Sequence, residues 1–283
     1  MEKGKLYLVG TPIGNLKDIT LRAIETLKMV DIILAEDTRQ TLKLLNHLEI
    51  SKPMISYHRH NEVDKISEVK RLLDEGRQIA LVSDAGMPRI SDPGESLIET
   101  LIDEKYMVEV IPGVTAVTTA IAYTNFDSST FVFEGFLPMR PTRRREKLEK
   151  LKFETRTIVF YEAPHKLLAT LKDLHKFLGD RQIMIARELT KLHEECRYST
   201  LSEQIEIVSN EGIKGEIVLI VKGNEAGDKE KKKEENEALG LDLLSDKELV
   251  ERYISSGMNK KDAIKKVAKE RGKNKNEVYM ECV

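Results

Sequence analysis

Residue types able to do chemistry gather in four stretches, each directly after a short apolar run. In Gly10 to Leu16, two glycines flank Thr11, Pro12 and Ile13. The backbone there can turn sharply and offer its amides to a phosphate or carboxylate, or it can simply make a tight turn. No Gly-Lys-Ser/Thr follows and the spacing is not the six-position dinucleotide fingerprint, which argues against a nucleotide-phosphate site. In Ser83 to Gly94, two Pro, two Gly and two Asp stiffen the backbone and place carboxylates beside a helix start. Asp92 and Glu95 read there as helix caps, which leaves Asp84 as the carboxylate for ligand contact. Ala35 to Arg39 brings Glu36, Asp37 and Arg39 to the end of a buried strand, at the same sheet edge as the glycine loops. The competing reading is that Asp37 or Thr38 caps the next helix and Arg39 pairs with it. Ser56 to Glu62 follows another strand; Tyr57, His58 and His60 suit a polar substrate, or the histidines are simply exposed loop residues, and Asn61 reads as a cap.

A second kind of chemistry belongs to charge. The chain has 283 residues and a formal net charge of -2, so attraction to a polyanion must come from local patches. Arg140, Arg143, Arg144, Arg145 and Lys147 form one such patch, and a single adjacent Glu146 does not pair them all. The last stretch carries Lys260, Lys261, Lys265, Lys266, Lys269, Arg271, Lys273 and Lys275, suited to RNA or merely to solubility. The two cysteines, Cys196 and Cys282, have no second ligand type at metal spacing, so neither a disulfide framework nor a metal site is expected. No run approaches the roughly 18 apolar residues of a membrane span, and no signal peptide is evident; a soluble cytoplasmic protein is expected.

The elements that must hold these residues alternate. Short Val/Ile/Leu-rich runs at Lys5 to Val9, Asp31 to Ala35, Met54 to Ser56, Gln78 to Val82 and Val108 to Ile111 are separated by helical stretches, which predicts a mostly parallel sheet. The nearly uncharged run Val114 to Tyr123 predicts a helix buried on most sides. Strands at Thr130 to Glu134, Thr157 to Tyr161, Gln182 to Arg187, Glu195 to Thr200 and Glu216 to Val221 predict a second, mixed sheet. Paired cap signatures at Ser245/Glu248, Asn259/Asp262 and Asn274/Glu277 predict three short helices. The expected organisation is α/β throughout: 1–113 and 114–224 as two α/β domains, 225–244 as a charged linker and 245–283 as a small helical module.

In this order, Gly10 to Leu16, Ala35 to Arg39, Ser56 to Glu62, Leu81 to Gly94, Ile111 to Ala116, Phe133 to Pro138, Tyr161 to His165 and Ala186 to Lys191 closely resemble the ribosomal RNA small subunit methyltransferase I family, part of the tetrapyrrole methylase superfamily. The resemblance implies two α/β domains with S-adenosylmethionine in the cleft between them, a homodimer, and 2'-O-ribose methylation of a cytidine in the decoding region of 16S rRNA. It also implies that Ser83, Asp84, Ala85 and Gly86 hold the methionine part of the cofactor and that Pro112, Thr115 and Ala116 line its cleft. Tyr161 and Glu162 would approach the adenosyl half, with Thr11 and Pro12 bounding the entrance. Lys166 and Thr115 stand where the family more often has Arg and Ser, and each keeps the relevant charge or hydroxyl. For such a reaction Glu36, Asp37 and His58 are the candidate bases, with Arg39 positioning a phosphate or lowering the hydroxyl's effective pKa. Arg140, Arg143, Arg144, Arg145, Lys260 and Lys261 are the RNA-binding candidates. The rivals are a methyltransferase for a tetrapyrrole-like small molecule, a noncatalytic RNA-binding factor, and a helix-turn-helix regulator.

Overall fold

The computed structural model describes residues 3–59, 61–227 and 244–282. The chain divides into two compact units, Met1–Gly223 and Asn224–Val283. His60 and most of the expected linker, residues 228–243, lie outside the described residues.

The first unit opens with five parallel strands, β1 (Lys5–Val9), β2 (Ile32–Ala35), β3 (Met54–Ser56), β4 (Ile79–Val82) and β5 (Met107–Ile111), in the order β3-β2-β4-β1-β5. Helices α1 (Leu21–Met29), α2 (Thr38–His47), α3 (Glu62–Asp74) and α4 (Glu95–Asp103) return the chain. Successive residues of β1 and β4 enter different cores: Leu6, Leu8, Ile79 and Leu81 on one face, Tyr7, Val9, Ala80 and Val82 on the other. Burial on both faces is why these strands read as unbroken apolar runs. All strands being parallel, the loops after β1, β2, β3 and β4 gather at one edge, and these carry the four chemical stretches.

Next come α5 (Ala116–Tyr123), β6 (Phe131–Phe136), α6 (Pro141–Leu151), β7 (Thr157–Glu162), α7 (Pro164–Leu178), β8 (Gln182–Arg187), β9 (Glu195–Thr200), α8 (Leu201–Glu211) and β10 (Ile217–Val221). The strand order is β6-β7-β10-β8-β9, with β6 and β7 parallel and the other neighbours antiparallel. Helix α5 buries Val117, Ala120 and Ile121 against this sheet but leaves Thr118, Ala122 and Tyr123 exposed, so it is an amphipathic cover and not the mostly buried helix expected. Ile13, from the loop after β1, packs into the same core and joins that loop to the second sheet.

Two expected caps are absent. Helix α4 starts at Glu95 behind Gly94, whose φ of 127° turns the chain, and neither Asp92 nor Glu95 makes a cap hydrogen bond. Glu62 caps α4 instead: its Oε1 accepts from the backbone N–H of Gly94 (3.2 Å) and Ser96 (2.9 Å). Asn61 gives no cap bond to α3; it ties the preceding loop, accepting from His58 N–H (2.8 Å) and donating to the Ser56 carbonyl (3.0 Å).

The second unit has three helices, α9 (Asp246–Ser255), α10 (Lys260–Arg271) and α11 (Lys275–Glu281), capped by Ser245, Asn259 and Asn274. They close over a small core of Leu249, Val250, Ala263, Ile264, Val267, Ala268 and Val278. No helix among the described residues is long and apolar enough to cross a membrane.

Candidate active site

A cavity of about 410 Å³ opens between the carboxyl edge of the first sheet and the second sheet. One wall comes from the first sheet's loops, with Ile13, Glu36, Met87 and the stretches Asp84 to Gly86 and Ile90 to Asp92. The other comes from Thr115 and Ala116, from Phe136, from the β7–α7 turn at Tyr161 to Pro164, and from β8 and the start of β10. Its acidic lining residues are Glu36, Asp84, Asp92, Glu162 and Glu216, and no Lys, Arg or His lines it among the described residues.

The loop after β4 is held by the loop after β1. Thr11 and Gly86 exchange backbone hydrogen bonds of 2.9 and 3.1 Å, and the Thr11 hydroxyl lies 3.2 Å from the Ser83 carbonyl oxygen. Gly10 is required because a Cβ there would sit 2.7 Å from the Gly113 Cα and the Met87 Sδ. The glycines thus serve close backbone packing, and Thr11, Pro12 and Ser83 are buried behind the cavity surface. Pro112 is exposed and does not line it. Asp84, Ala85, Gly86, Thr115, Ala116, Tyr161 and Glu162 all do.

Tyr161 accepts the Val117 N–H at 3.1 Å, packs edge-on with Phe133 and Phe136, and burial pushes its hydroxyl up to about 12. Glu162 accepts from the Ala163 N–H and the Thr170 hydroxyl, so its carboxylate is already bound. Asp84 accepts the Asp37 N–H at 3.0 Å, and burial raises its carboxyl. Burial first, and then the charge of Asp84, raises Glu36. Burial first, and then the charge of Glu36, pushes Asp92 up to about 7, with the Ser83 hydroxyl as a hydrogen-bond partner. Like charges in one partly desolvated space resist joint ionisation.

The remaining candidates lie elsewhere. Asp37 is the N-cap of α2 and accepts from Arg39 N–H (2.8 Å), while the Arg39 guanidinium grips both its oxygens. That pairing holds the Asp37 carboxyl down at about 2, and the Arg39 side chain is 88% exposed. Neither residue lines the cavity, and neither does His58. Of the basic run, Arg144 is bound to Asp173 (2.6 Å) and Thr170 (2.8 Å), and Arg145 pairs with Glu149 (2.7 Å) one helical turn on. Adjacent Glu146 was not the relevant partner, because a helix meets its i+4 neighbour and the next helix instead. Arg140, Arg143, Lys260 and Lys261 are exposed.

Sequence reasoning missed Asp92, Met87, Phe136, Leu189 and the start of β10. The Gly86-Met87-Pro88 turn was a signal for Met87; strand ends that meet only through the second sheet's order carry none. The donor set fits a ligand with an apolar ring system and a positive centre: apolar and aromatic walls, several carboxylates, and no competing cation among the described lining residues. S-adenosylmethionine has those features, and Asp84 to Gly86, Thr115, Ala116, Tyr161 and the start of β10 are among the lining residues such a ligand would meet.

A sequence profile of the tetrapyrrole (corrin/porphyrin) methylases matches residues 5–205. A Halalkalibacterium halodurans protein named ribosomal RNA small subunit methyltransferase I is 49% identical over 281 residues, covering 98% of this chain and 94% of that protein. A Thermotoga maritima protein of the same name is 50% identical over 222 residues, covering 78% of this chain and 100% of that protein. Among solved structures, a cobalt precorrin-4 methyltransferase of cobalamin biosynthesis superposes with a TM-score of 0.60 at 19% identity, over 77% of this chain and 94% of that one. A Thermus thermophilus uroporphyrin-III C-methyltransferase complexed with S-adenyl homocysteine gives 0.58 at 19%, over 77% and 97%.

Proposed function

Because this chain belongs to the tetrapyrrole (corrin/porphyrin) methylases, and within them to the ribosomal RNA small subunit methyltransferase I family, we propose that it methylates the ribose 2'-oxygen of a cytidine in the decoding region of 16S rRNA. It is an S-adenosylmethionine-dependent methyltransferase. The observation that supports this reading best is the sign of the cavity: five carboxylates and apolar walls, with no basic residue among the described lining, attract a cationic methyl donor and repel phosphate. An RNA backbone then stays outside while one ribose hydroxyl reaches in.

When bound, the cofactor supplies a methyl group on a positively charged sulfur, already activated for transfer. The chain's own task is alignment and removal of the hydroxyl proton. Gly86, pinned by Thr11, fixes one wall, and Tyr161, bonded to the first turn of α5, fixes the other. We assign the exposed Arg140, Arg143, Lys260 and Lys261 as phosphate contacts, with target choice coming from RNA shape. We also assign the protein to the cytoplasm as a homodimer. Leu192, 93% exposed, together with the exposed Tyr123 and with Tyr198 of edge strand β9, is apolar surface suited to a second copy.

The test is transfer of a labelled methyl group to small ribosomal subunits lacking their own ribose methylation, followed by mapping of the nucleotide. Label at one cytidine 2'-oxygen supports the reading. Cofactor binding by calorimetry without label in RNA would favour a small-molecule acceptor.

A further inference from the structure

We propose that Asp92 is the group that takes the proton from the acceptor hydroxyl. The assignment rests on the ribose-methylation reading above and adds the residue that does its proton chemistry.

The other carboxylates at the cavity are occupied or misplaced. Glu162 already accepts two hydrogen bonds. Glu216 is 71% exposed and paired with Lys191. Asp84 receives the Asp37 N–H and sits at the exposed mouth. Asp37 is gripped by Arg39 outside the cavity. Glu36 and Asp92 remain, and the backbone distinguishes them.

Asp92 lies between Ser91, at φ 68°, and Pro93, and Arg89 is at φ 73°. Left-handed backbone at two non-glycine residues is costly and must be held by its surroundings. Here the Arg89 N–H donates to the Pro93 carbonyl (3.2 Å), the Arg59 guanidinium donates to the Ser91 carbonyl (2.5 Å), and Glu62 clamps Gly94. From the second sheet, the β6 bulge at Gly135 packs so closely that a Cβ there would lie 2.8 Å from the Ser91 Oγ. Contacts from both walls therefore fix this segment where they meet, and Asp92 faces the cavity from it. Rigid support of this kind is what a proton acceptor needs.

The groups around Asp92 are Glu36 after β2, Asp84 after β4, Arg59 after β3, the Ser83 hydroxyl, and Tyr161 of β7. Their balance, dominated by burial and by Glu36, leaves its carboxyl at about 7, where it is both ionised in part and basic enough to accept a proton. In the step, the hydroxyl oxygen bonds to the methyl carbon as the carbon–sulfur bond breaks, its electron pair staying on sulfur. The O–H proton passes to an Asp92 carboxylate oxygen and from there to water. One alcohol and one sulfonium thus give one ether, one thioether and one proton.

The experiment compares wild type, Asp92→Asn and Glu36→Gln in single-turnover methylation of those small subunits across pH 5.5 to 9. Alongside it run calorimetry with S-adenosylhomocysteine, thermal melts, and carbon-13 NMR titration of labelled aspartate carboxyls in the ligand-free protein. Asp92→Asn is expected to slow transfer by about 10²- to 10⁴-fold at pH 8, with S-adenosylhomocysteine affinity within about threefold and a melting point no lower than wild type. It is also expected to abolish both the rise in rate around pH 7 and the aspartate resonance that titrates there. Glu36→Gln is expected to move that rise and that resonance to lower pH by removing the adjacent like charge. Transfer by Asp92→Asn within about tenfold of wild type, or no aspartate titrating above pH 6, would overturn the assignment. A wild type that methylates no small subunit would instead bring down the functional reading on which it stands.

Discussion

Burial raises the carboxyls of Glu36 and Asp84 and pushes that of Asp92 up to about 7, so near neutral pH Asp92 holds a proton part of the time, which a bound cation expels. Binding of S-adenosylmethionine should therefore release protons near pH 6.5 and strengthen as pH rises from 6 to 8. S-adenosylhomocysteine, without the sulfonium charge, should show a flatter profile; calorimetry in buffers of different ionisation enthalpy measures both. The same shift affects stability. Asp92 binds its proton more tightly folded than unfolded, so its contribution to stability is full below about pH 4 and is lost as pH rises through about 7. Asp92→Asn removes that loss and should melt about 2–4 °C higher than wild type at pH 8, the equivalent of about 1 kcal/mol in a chain of this size, with no gain at pH 4. Asp37 has the opposite sign: held at about 2 by Arg39, it contributes stability that disappears as pH falls from about 4 to about 2. Sequence gave Asp92 a cap's role because Asp-Pro-Gly-Glu matches a helix start. The true cap, Glu62, lies thirty-two residues from Gly94, a distance that local pattern does not span.

At the scale of elements, the loop after β4 is a part positioned by two others, the loop after β1 through Thr11 and the start of α3 through Glu62. Glu62 is buried, and its Oε1 satisfies two backbone donors at the start of α4. Glu62→Ala leaves those donors without an acceptor and should cost about 2–3 kcal/mol, read by urea denaturation at pH 7. Glu62→Gln keeps an acceptor oxygen and should recover more than half of the loss. Because Gly94 follows Asp92 closely, the alanine variant should also lose methyl transfer more than cofactor binding, while equal losses would mean that the whole wall collapses. The parallel sheet was legible because strands buried on both faces must be apolar throughout, and strand-to-helix alternation then sets where their loops emerge. The second sheet's order was not legible. Its antiparallel neighbours β10, β7 and β8 are brought together by packing of α7 and α8, and periodicity within a strand says nothing about which strand lies beside it. The exposed face of α5 was hidden for a related reason: alanines and threonines leave a run equally uncharged whether or not they are covered.

For the whole molecule, the question is what the second unit adds. It has its own core and caps, and Lys260, Lys261, Lys265, Lys269 and Lys275 are exposed on it, whereas Arg271 and Lys273 are drawn to Asp246 and Lys266 lies over Tyr253. The Thermotoga maritima relative is matched over its full length by 222 residues, so it has no counterpart for a share of this chain the size of Asn224–Val283. Every described residue lining the cavity belongs to the first unit. Chemistry and this cationic surface are thus assigned to different units, and their removal should act on different constants. A chain ending at Gly223 should fold, bind S-adenosylhomocysteine as the full chain does, and keep kcat on small subunits within about threefold. Its KM should rise by about tenfold near 0.1 M salt, and the dependence of log KM on log salt should become shallower by about 2, the share of two to three lost phosphate contacts. A truncated chain with an unchanged KM and salt slope would assign RNA attraction to Arg140 and Arg143 alone, and one that failed to bind the cofactor would make the second unit part of the cavity's support.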